Sequence, residues 1–234
     1  MKKILALLII LFFIISCNKQ NLDIASIDFN KSIDDDLDKL NISRVDKQNG
    51  HFELIKNENK VEPKLIADGN ICTTYILAKL SDENKIYYSG IAIEPNSGGR
   101  IIVNNKKIVF VNIALKPQET FNVLKKLKTI LGKPDQVIYD SIADNSTENK
   151  VKLILKGFPK NEIKHNKDDF FSYLIFPLRY VWLKDNYIYE YTFLTGDKVF
   201  DNELVILSKK AFKEKIIPLY YNPENDPILS KYIK

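Results

Sequence analysis

One segment with strong helical periodicity limits the fold of this chain more than any other feature of its sequence. Apolar residues recur there at the three- and four-residue spacing of a single helix face: Val123, Leu124, Leu127, Ile130 and Leu131. Pro117 suits the first turn of a helix, and Gly132 followed by Pro134 is typical of a helix end. The pattern predicts one principal helix over residues 117–131.

Strand-like segments lie on both sides of this helix, rich in β-branched and aromatic residues and separated by short polar turns. The predicted strands cover residues 51–55, 71–80, 85–94, 100–104, 107–115, 136–142, 150–156, 171–183, 187–195 and 204–207. We expect 71–80 and 85–94 to pair as a hairpin, a polar loop at 157–169, and short helices beginning near Ser32 and over 208–216. The sequence therefore predicts an α+β fold in which an antiparallel sheet carries one principal packed helix.

Two segments with a similar sequence pattern are compatible with an internal duplication of the fold. Residues 77–93 and 181–194 both read as a strand, an Asp-containing turn and a second strand. This similarity is compatible with a duplicated helix and sheet unit, in which the domain is subdivided near residue 116. Any two hairpins of similar composition would look alike, so both arrangements stay open.

The predicted hairpin around residues 185–186 has an almost wholly aromatic face. A two-residue turn at that point sets Trp182 opposite Tyr189. Because side chains alternate along a strand, one face then carries five aromatic residues: Tyr180, Trp182, Tyr189, Tyr191 and Phe193. The other face brings Arg179 diagonally beside Glu190. We expect the aromatic face to pack on the 117–131 helix as core; the alternative is an exposed binding face for a sugar ring or a protein partner.

The first seventeen residues have the three-part layout of a secretory signal. A positively charged start precedes an unbroken apolar run over residues 4–15, and Ser16-Cys17 follows at once. As a helix this run would span roughly 18 Å, against about 30 Å of bilayer hydrocarbon, so it is short for a membrane span. Its end resembles a bacterial lipobox, which implies cleavage between Ser16 and Cys17 and acylation of Cys17. An ordinary signal peptide and an N-terminal anchor helix are the alternatives.

The lipobox divides the chain into four predicted parts: a signal peptide over 1–16, an acylated N-terminus and tether over 17–31, an α+β domain over 32–217 and an extended tail over 218–234. The resemblance implies a lipid-anchored protein of the bacterial cell envelope. Asn18 is not the Asp that marks inner-membrane retention in enterobacterial lipoproteins, so the outer membrane is favoured over the inner membrane. With Cys17 acylated, Cys72 is unpaired, and its place in a predicted strand indicates a buried, inert thiol.

No motif typical of catalysis, cofactor binding or metal binding occurs in the sequence. The two histidines, His51 and His165, have no second histidine or cysteine within four residues, the spacing typical of a metal site. Nucleophilic catalysis by Cys72 would need a histidine partner, and nothing in the sequence places one beside it. The acidic residues 34–38 lack the spacing of a calcium-binding loop. The net charge of +5 is modest and no basic run is interleaved with aromatic residues, so we predict no cofactor, no metal and no nucleic-acid partner.

Residues 118–137 resemble the helix–LGxP–strand module of small bacterial envelope lipoproteins of the BamE/SmpA type and of the related β-lactamase-inhibitor-like folds. The matching positions are Leu131, Gly132 and Pro134, together with the apolar stripe of the helix. The resemblance implies a helix packed on a small antiparallel sheet. We expect a non-catalytic module that binds an envelope protein or an incoming protein, as an assembly accessory, an inhibitor or an immunity protein. The alternatives are a lipoprotein that binds a small molecule or glycan and, third, an enzyme of unknown type.

Overall fold

A computed structural model describes residues 21–40, 42–57, 60–77, 85–94, 97–143, 148–167, 171–195, 200–214 and 229–232. The predicted signal peptide and the lipobox residues Ser16 and Cys17 lie outside these ranges. Within them, no helix is long and apolar enough to cross a membrane.

Strands dominate the part of the chain that the structure describes. They are β1 (Asn21–Asp23), β2 (Ser43–Asn57), β3 (Lys60–Ile76), β4 (Lys85–Tyr88), β5 (Ile91–Ala92), β6 (Arg100–Asn104), β7 (Lys107–Ile113), β8 (Gln136–Ala143), β9 (Lys164–Lys167), β10 (Ser172–Leu183), β11 (Tyr187–Thr195) and β12 (Phe200–Ser208). The α-helices are α1 (Asp34–Asp38), α2 (Thr120–Leu131), α3 (Glu148–Gly157) and α4 (Lys209–Lys213). Short 3-10 turns cover Ile24–Ser26, Pro117–Glu119, Lys160–Glu162 and Leu229–Tyr232. The predicted α+β class is confirmed.

The main sheet has the strand order β2-β3-β6-β7-β12-β11-β10-β8, and neighbours along this order are antiparallel. Each half of the chain supplies a helix followed by four strands in sequential order: α1 before β2, β3, β6 and β7, and α2 before β8, β10, β11 and β12. The last strands of the two halves, β7 and β12, pair at the centre. This order is compatible with the predicted duplication of a helix and sheet unit, with the change from one half to the other close to residue 116.

The hydrophobic core is split between the two faces of the main sheet. The larger part lies under α1, α2, α3 and a separate small sheet of β1, β4 and β5, and it buries Tyr75, Ile101 and Phe193. On the other face, Phe110 and Leu207 pack against Phe212 of α4 and Leu229 of the last 3-10 turn. A sheet covered on both faces explains why its central strands read as nearly continuous apolar runs.

The principal helix lies where the sequence predicts it. Pro117 opens a 3-10 turn that leads into α2, and Gly132 ends the helix with a φ of 81°. Val123, Leu124 and Leu127 are buried, whereas Ile130 is half exposed at the end of the helix. Local sequence signals suffice here because the apolar period and both terminal signals agree.

The prediction of a strand over 150–156 is wrong, because these residues belong to α3. Val151 and Ile154 lie three residues apart and Phe158 four further on, and all three pack into the core from one side of the helix. Short apolar runs fit both periods, so only the tertiary contacts decide between strand and helix. The predicted loop over 157–169 likewise contains a 3-10 turn and the exposed strand β9.

The predicted hairpin of 71–80 with 85–94 is also wrong. β3 uses Cys72–Ile76 to pair with β2 on one side and β6 on the other, which occupies both of its edges. β4 lies in the small sheet between β1 and β5. The counterpart of the 181–194 hairpin is therefore the β3–β6 pair rather than residues 77–93.

The predicted tether over 17–31 is wrong for residues 21–31, which are part of the domain. Asn21–Asp23 form β1, and Ile24 and Phe29 are buried in the larger core. The prediction of an extended tail over 218–234 is wrong at Leu229–Tyr232, a 3-10 turn whose Leu229 is fully buried. Both errors arise because a few apolar residues within polar sequence give no periodic signal.

Candidate functional site

The aromatic face of the β10–β11 hairpin is part of the core. The predicted register is confirmed, with Trp182 opposite Tyr189 and Tyr180 opposite Tyr191. Tyr180, Trp182, Tyr191 and Phe193 are at most 1% exposed, and Tyr189 packs against them partly buried. The interpretation of this face as an exposed binding surface is therefore wrong.

Polar atoms of the buried aromatic residues are bonded to the helix layer above them. The Trp182 Nε1–H donates to the Gly132 carbonyl at 2.8 Å, and the Tyr191 hydroxyl donates to the Thr120 carbonyl at 2.7 Å. The Tyr180 hydroxyl is bonded to the Glu162 carboxylate, which also pairs with Lys128 at 2.8 Å. Burial raises the pKa of both Tyr180 and Tyr191 well above the usual tyrosine value. These groups hold α2 on the sheet and are closed to a ligand.

A polar groove opens at the end of the main sheet where the β6–β7 and β10–β11 turns meet the start of α4. Its cavity volume is about 540 Å³. Four asparagines line it: Asn30, Asn104, Asn105 and Asn186. The volume lies in the range of small-molecule sites, although such sites are usually more apolar than this one.

The polar groove carries charges of both signs. Lys107, Lys209 and Lys210 line it together with Asp185 and Glu214, and Lys210 lies 3.9 Å from Glu214 as an ion pair. Amides, ammonium groups and carboxylates together can donate and accept hydrogen bonds in several directions. This chemistry fits a neutral polyhydroxylated ligand better than a strongly charged one.

The walls of the polar groove are held by backbone and tyrosine contacts. The Lys209 N–H donates to the Asn186 carbonyl at 3.0 Å, which ties α4 to the β10–β11 turn. The Tyr187 hydroxyl lies 3.2 Å from the carbonyls of Phe29 and Ile108, and burial raises the pKa of Tyr187 to about 12. The sequence predicts turns at both the β6–β7 and the β10–β11 connections, but only the strand order brings these two turns to the same end of the main sheet.

A second candidate surface is the β2–β3 ribbon, formed by residues 50–57 and 60–67. β3 pairs with β6 only over Cys72–Ile76, whereas its pairing with β2 continues from Gly50↔Ala67 to Asn57↔Lys60. At 3.3 Å per residue, the seven steps from Lys60 to Ala67 make the ribbon about 23 Å long. No described strand other than β2 pairs with β3 along this length.

The ribbon leaves the sheet at a register shift. The shift lies between the pairs Gln48↔Ile71 and Gly50↔Ala67, where Asn49 on β2 stands against residues 68–70 on β3. A bulge bends its strand and increases the local twist, which is how a ribbon turns away from its sheet. Pro63 within the ribbon is compatible with this position because proline is confined to edge strands.

The residues considered for catalysis are dispersed. Cys72 is buried on β3, and His165 is exposed on β9. β9 pairs with β10 on the same edge as β11, four strand steps from β3, which amounts to about 19 Å across the sheet. His51 belongs to the β2–β3 ribbon. In the part of the chain that the structure describes, no three His, Cys, Asp or Glu side chains converge on a point that would hold a metal ion.

Comparison of the chain with protein-family models, with curated proteins and with solved structures finds no significant match.

Proposed function

We propose that this protein is a lipoprotein of the bacterial cell envelope, anchored by acylation of Cys17, that binds a partner protein without catalysing a reaction. The layout of residues 1–17 supports the anchor, and Asn18 favours the outer membrane. The β2–β3 ribbon is the observation that carries the binding function.

An isolated two-stranded ribbon is marginally stable in water, because it has too little area to bury. Apolar residues occupy facing register positions along the ribbon, with Phe52 opposite Leu65 and Leu54 opposite Pro63. A partner that adds a strand to an edge of the ribbon would extend the pairing there, since among the described strands only β2 pairs with β3 along this length.

The binding function is tested by position-specific crosslinking in cells. A photoreactive residue at Glu53 on the ribbon should give one discrete adduct, whereas the same residue at the exposed Asn122 of α2 should give none. Deleting residues 50–67 leaves Asn49-Asp68-Gly69-Asn70 as a four-residue turn and should abolish partner capture without changing the unfolding of the domain. Capture that survives this deletion, or adducts only from Asn122, would refute the ribbon as the contact.

The anchor is tested separately from the contact. Cys17→Ser should lose both acyl-chain labelling and membrane association, and the matched Cys72→Ser should keep both. If Cys17→Ser stays on the membrane, the lipobox interpretation is wrong.

The polar groove favours binding of a sugar or another small polyol as a second candidate function. Its asparagines supply paired donors and acceptors that suit hydroxyl groups. Titration calorimetry against envelope glycans should show binding that Asn186→Ala weakens by about tenfold, the equivalent of one good hydrogen bond. Asn122→Ala, outside the groove, should leave the affinity unchanged. Equal affinities for the two variants would remove this candidate.

A further inference from the structure

The folded domain begins very close to the proposed lipid anchor. Asn21 opens β1, so only residues 18–20 separate it from Cys17. Four residue steps of fully extended chain reach at most about 14 Å. With the acyl chains of Cys17 in a bilayer, β1 lies within that distance of the headgroup layer.

β1 is held in place, so it cannot peel away to lengthen the connection. Asp23 Oδ1 accepts hydrogen bonds from the N–H groups of Ala25 at 3.0 Å and Ser89 at 2.7 Å, and its Oδ2 accepts one from Gly90 at 2.7 Å. Ser89 and Gly90 both have positive φ, which turns their N–H groups toward this carboxylate. The Lys126 ammonium of α2 in turn donates to the Ser89 carbonyl.

The N-terminal strand and the polar groove lie toward opposite ends of the domain. Asn21 pairs with Lys85, and the adjacent β4–β5 segment is bonded to the chain just after β7, through Glu94 N–H and the Ala114 carbonyl at 2.8 Å. Lys107, at the other end of β7, lines the groove. The six steps from Lys107 to Ile113 correspond to about 20 Å of strand.

The acidic part of the N-terminal region also lies at the groove end. The Ile33 N–H donates to the Lys106 carbonyl at 3.0 Å, which places α1 and its aspartates beside the β6–β7 turn. Anionic headgroups repel carboxylates and attract ammonium groups. An orientation with β1 toward the bilayer keeps these aspartates away from the lipid.

We propose that the β1 side of the domain docks directly on the headgroup surface of the bilayer that carries Cys17, so that the polar groove faces away from the lipid. This inference rests on the acylation of Cys17 proposed above. Docking of this kind confines the protein's partners to molecules at the same membrane surface, because the three residues between Cys17 and β1 do not let the domain move far from the bilayer.

The docking is tested with the acylated full-length chain in vesicles of phosphatidylethanolamine and phosphatidylglycerol. In a Cys72→Ser background, a fluorophore at Ser97→Cys reports the β1 side and one at Asp185→Cys reports the groove end; both residues are exposed. Nitroxide on the lipid headgroups should quench the Ser97 label several-fold more than the Asp185 label. Inserting about twenty Gly and Ser residues after Gln20 adds a span of about 25 Å and should abolish the difference.

Two variants extend the test to the Asp23 contacts. Asp23→Ala should reduce the difference in quenching, because β1 is then free to detach. Asp28→Ala should not change it, because the Asp28 carboxylate accepts a bond from the nearby Asn30 N–H and forms an ion pair with the nearby Lys31 at 3.7 Å. Equal quenching of the two labels in the acylated protein with its native spacing would overturn the docking alone. A protein that carries no acyl chain by mass would overturn the lipid anchor and the docking with it.

Discussion

The buried amide of Asn202 is the polar group whose loss should most clearly weaken the attachment of the principal helix. Asn202 on β12 is 1% exposed. Its Oδ1 accepts from the Leu115 N–H at 2.9 Å, and its Nδ2 donates to the Leu115 carbonyl at 2.9 Å and to Thr120 Oγ1 at 2.8 Å. The Thr120 hydroxyl also lies 2.8 Å from the Phe200 carbonyl, so the network joins β12 to the first residue of α2.

Asn202→Leu keeps the branched shape and the number of side-chain heavy atoms and removes all three hydrogen bonds. Each is worth about 1 kcal/mol net, and the Leu115 N–H and carbonyl are left buried without this partner, so the free energy of unfolding should fall by about 3 kcal/mol. For a domain of this size that corresponds to a drop in Tm of about 6–12 °C. The denaturant slope m should not change, because the surface exposed on unfolding is the same.

Urea unfolding followed by the fluorescence of Trp182 measures this loss, since Trp182 is the only tryptophan and is fully buried. The matched substitution Asn122→Leu, on the exposed side of α2, should change stability by no more than about 0.5 kcal/mol. A double-mutant cycle with Thr120→Val should give a coupling energy of about 1 kcal/mol. A loss below about 1 kcal/mol for Asn202→Leu at unchanged m would refute the reasoning, since it would mean that the amide bonds add nothing beyond packing.

Further predictions concern packing, alkaline pH and thiol protection. Gly157→Ala should destabilise the domain by about 1–3 kcal/mol in the same assay, because a Cβ at that position would lie 1.9 Å from Cζ of Phe121, which packs partly buried against the core; an unchanged Tm would contradict this. Burial raises the pKa of Tyr187 to about 12 in the folded state, so its stabilising contribution is complete below pH 10 and is lost as the pH rises from 10 through 12. Tyr187→Phe should therefore lower the number of protons released on unfolding in that window, measured as the slope of the free energy of unfolding against pH. If the variant and the original protein had the same slope, Tyr187 would be excluded as its cause. Cys72 is 2% exposed, so in the Cys17→Ser protein its thiol should react with a disulfide reagent only as fast as the domain opens; rapid stoichiometric labelling of the folded protein would show that the site is accessible.

Much of the local structure follows from the sequence alone. Helix α2 is defined by its apolar period together with Pro117 and Gly132, all of which lie within one short segment. The register of the β10–β11 hairpin follows from its two-residue turn, and the burial of its aromatic face follows from the need to cover so much apolar surface. The layout of residues 1–17 is equally local, and the proposed anchor depends on it.

Only the tertiary structure decides which distant segments meet. β3 has the composition to pair with β4, but the competing edges of β2 and β6 take both of its sides. Residues 150–156 fit both a strand and a helix period, and contact with the sheet selects the helix. The polar groove exists because the β6–β7 and β10–β11 turns come to the same end of the sheet. The short reach of the proposed anchor follows from the burial of Ile24 and Phe29 in a core that later segments build. Pairing partners and core contacts of this kind depend on the chain as a whole, since a short window of sequence carries its own period and turns but not the identity of the surface it will cover.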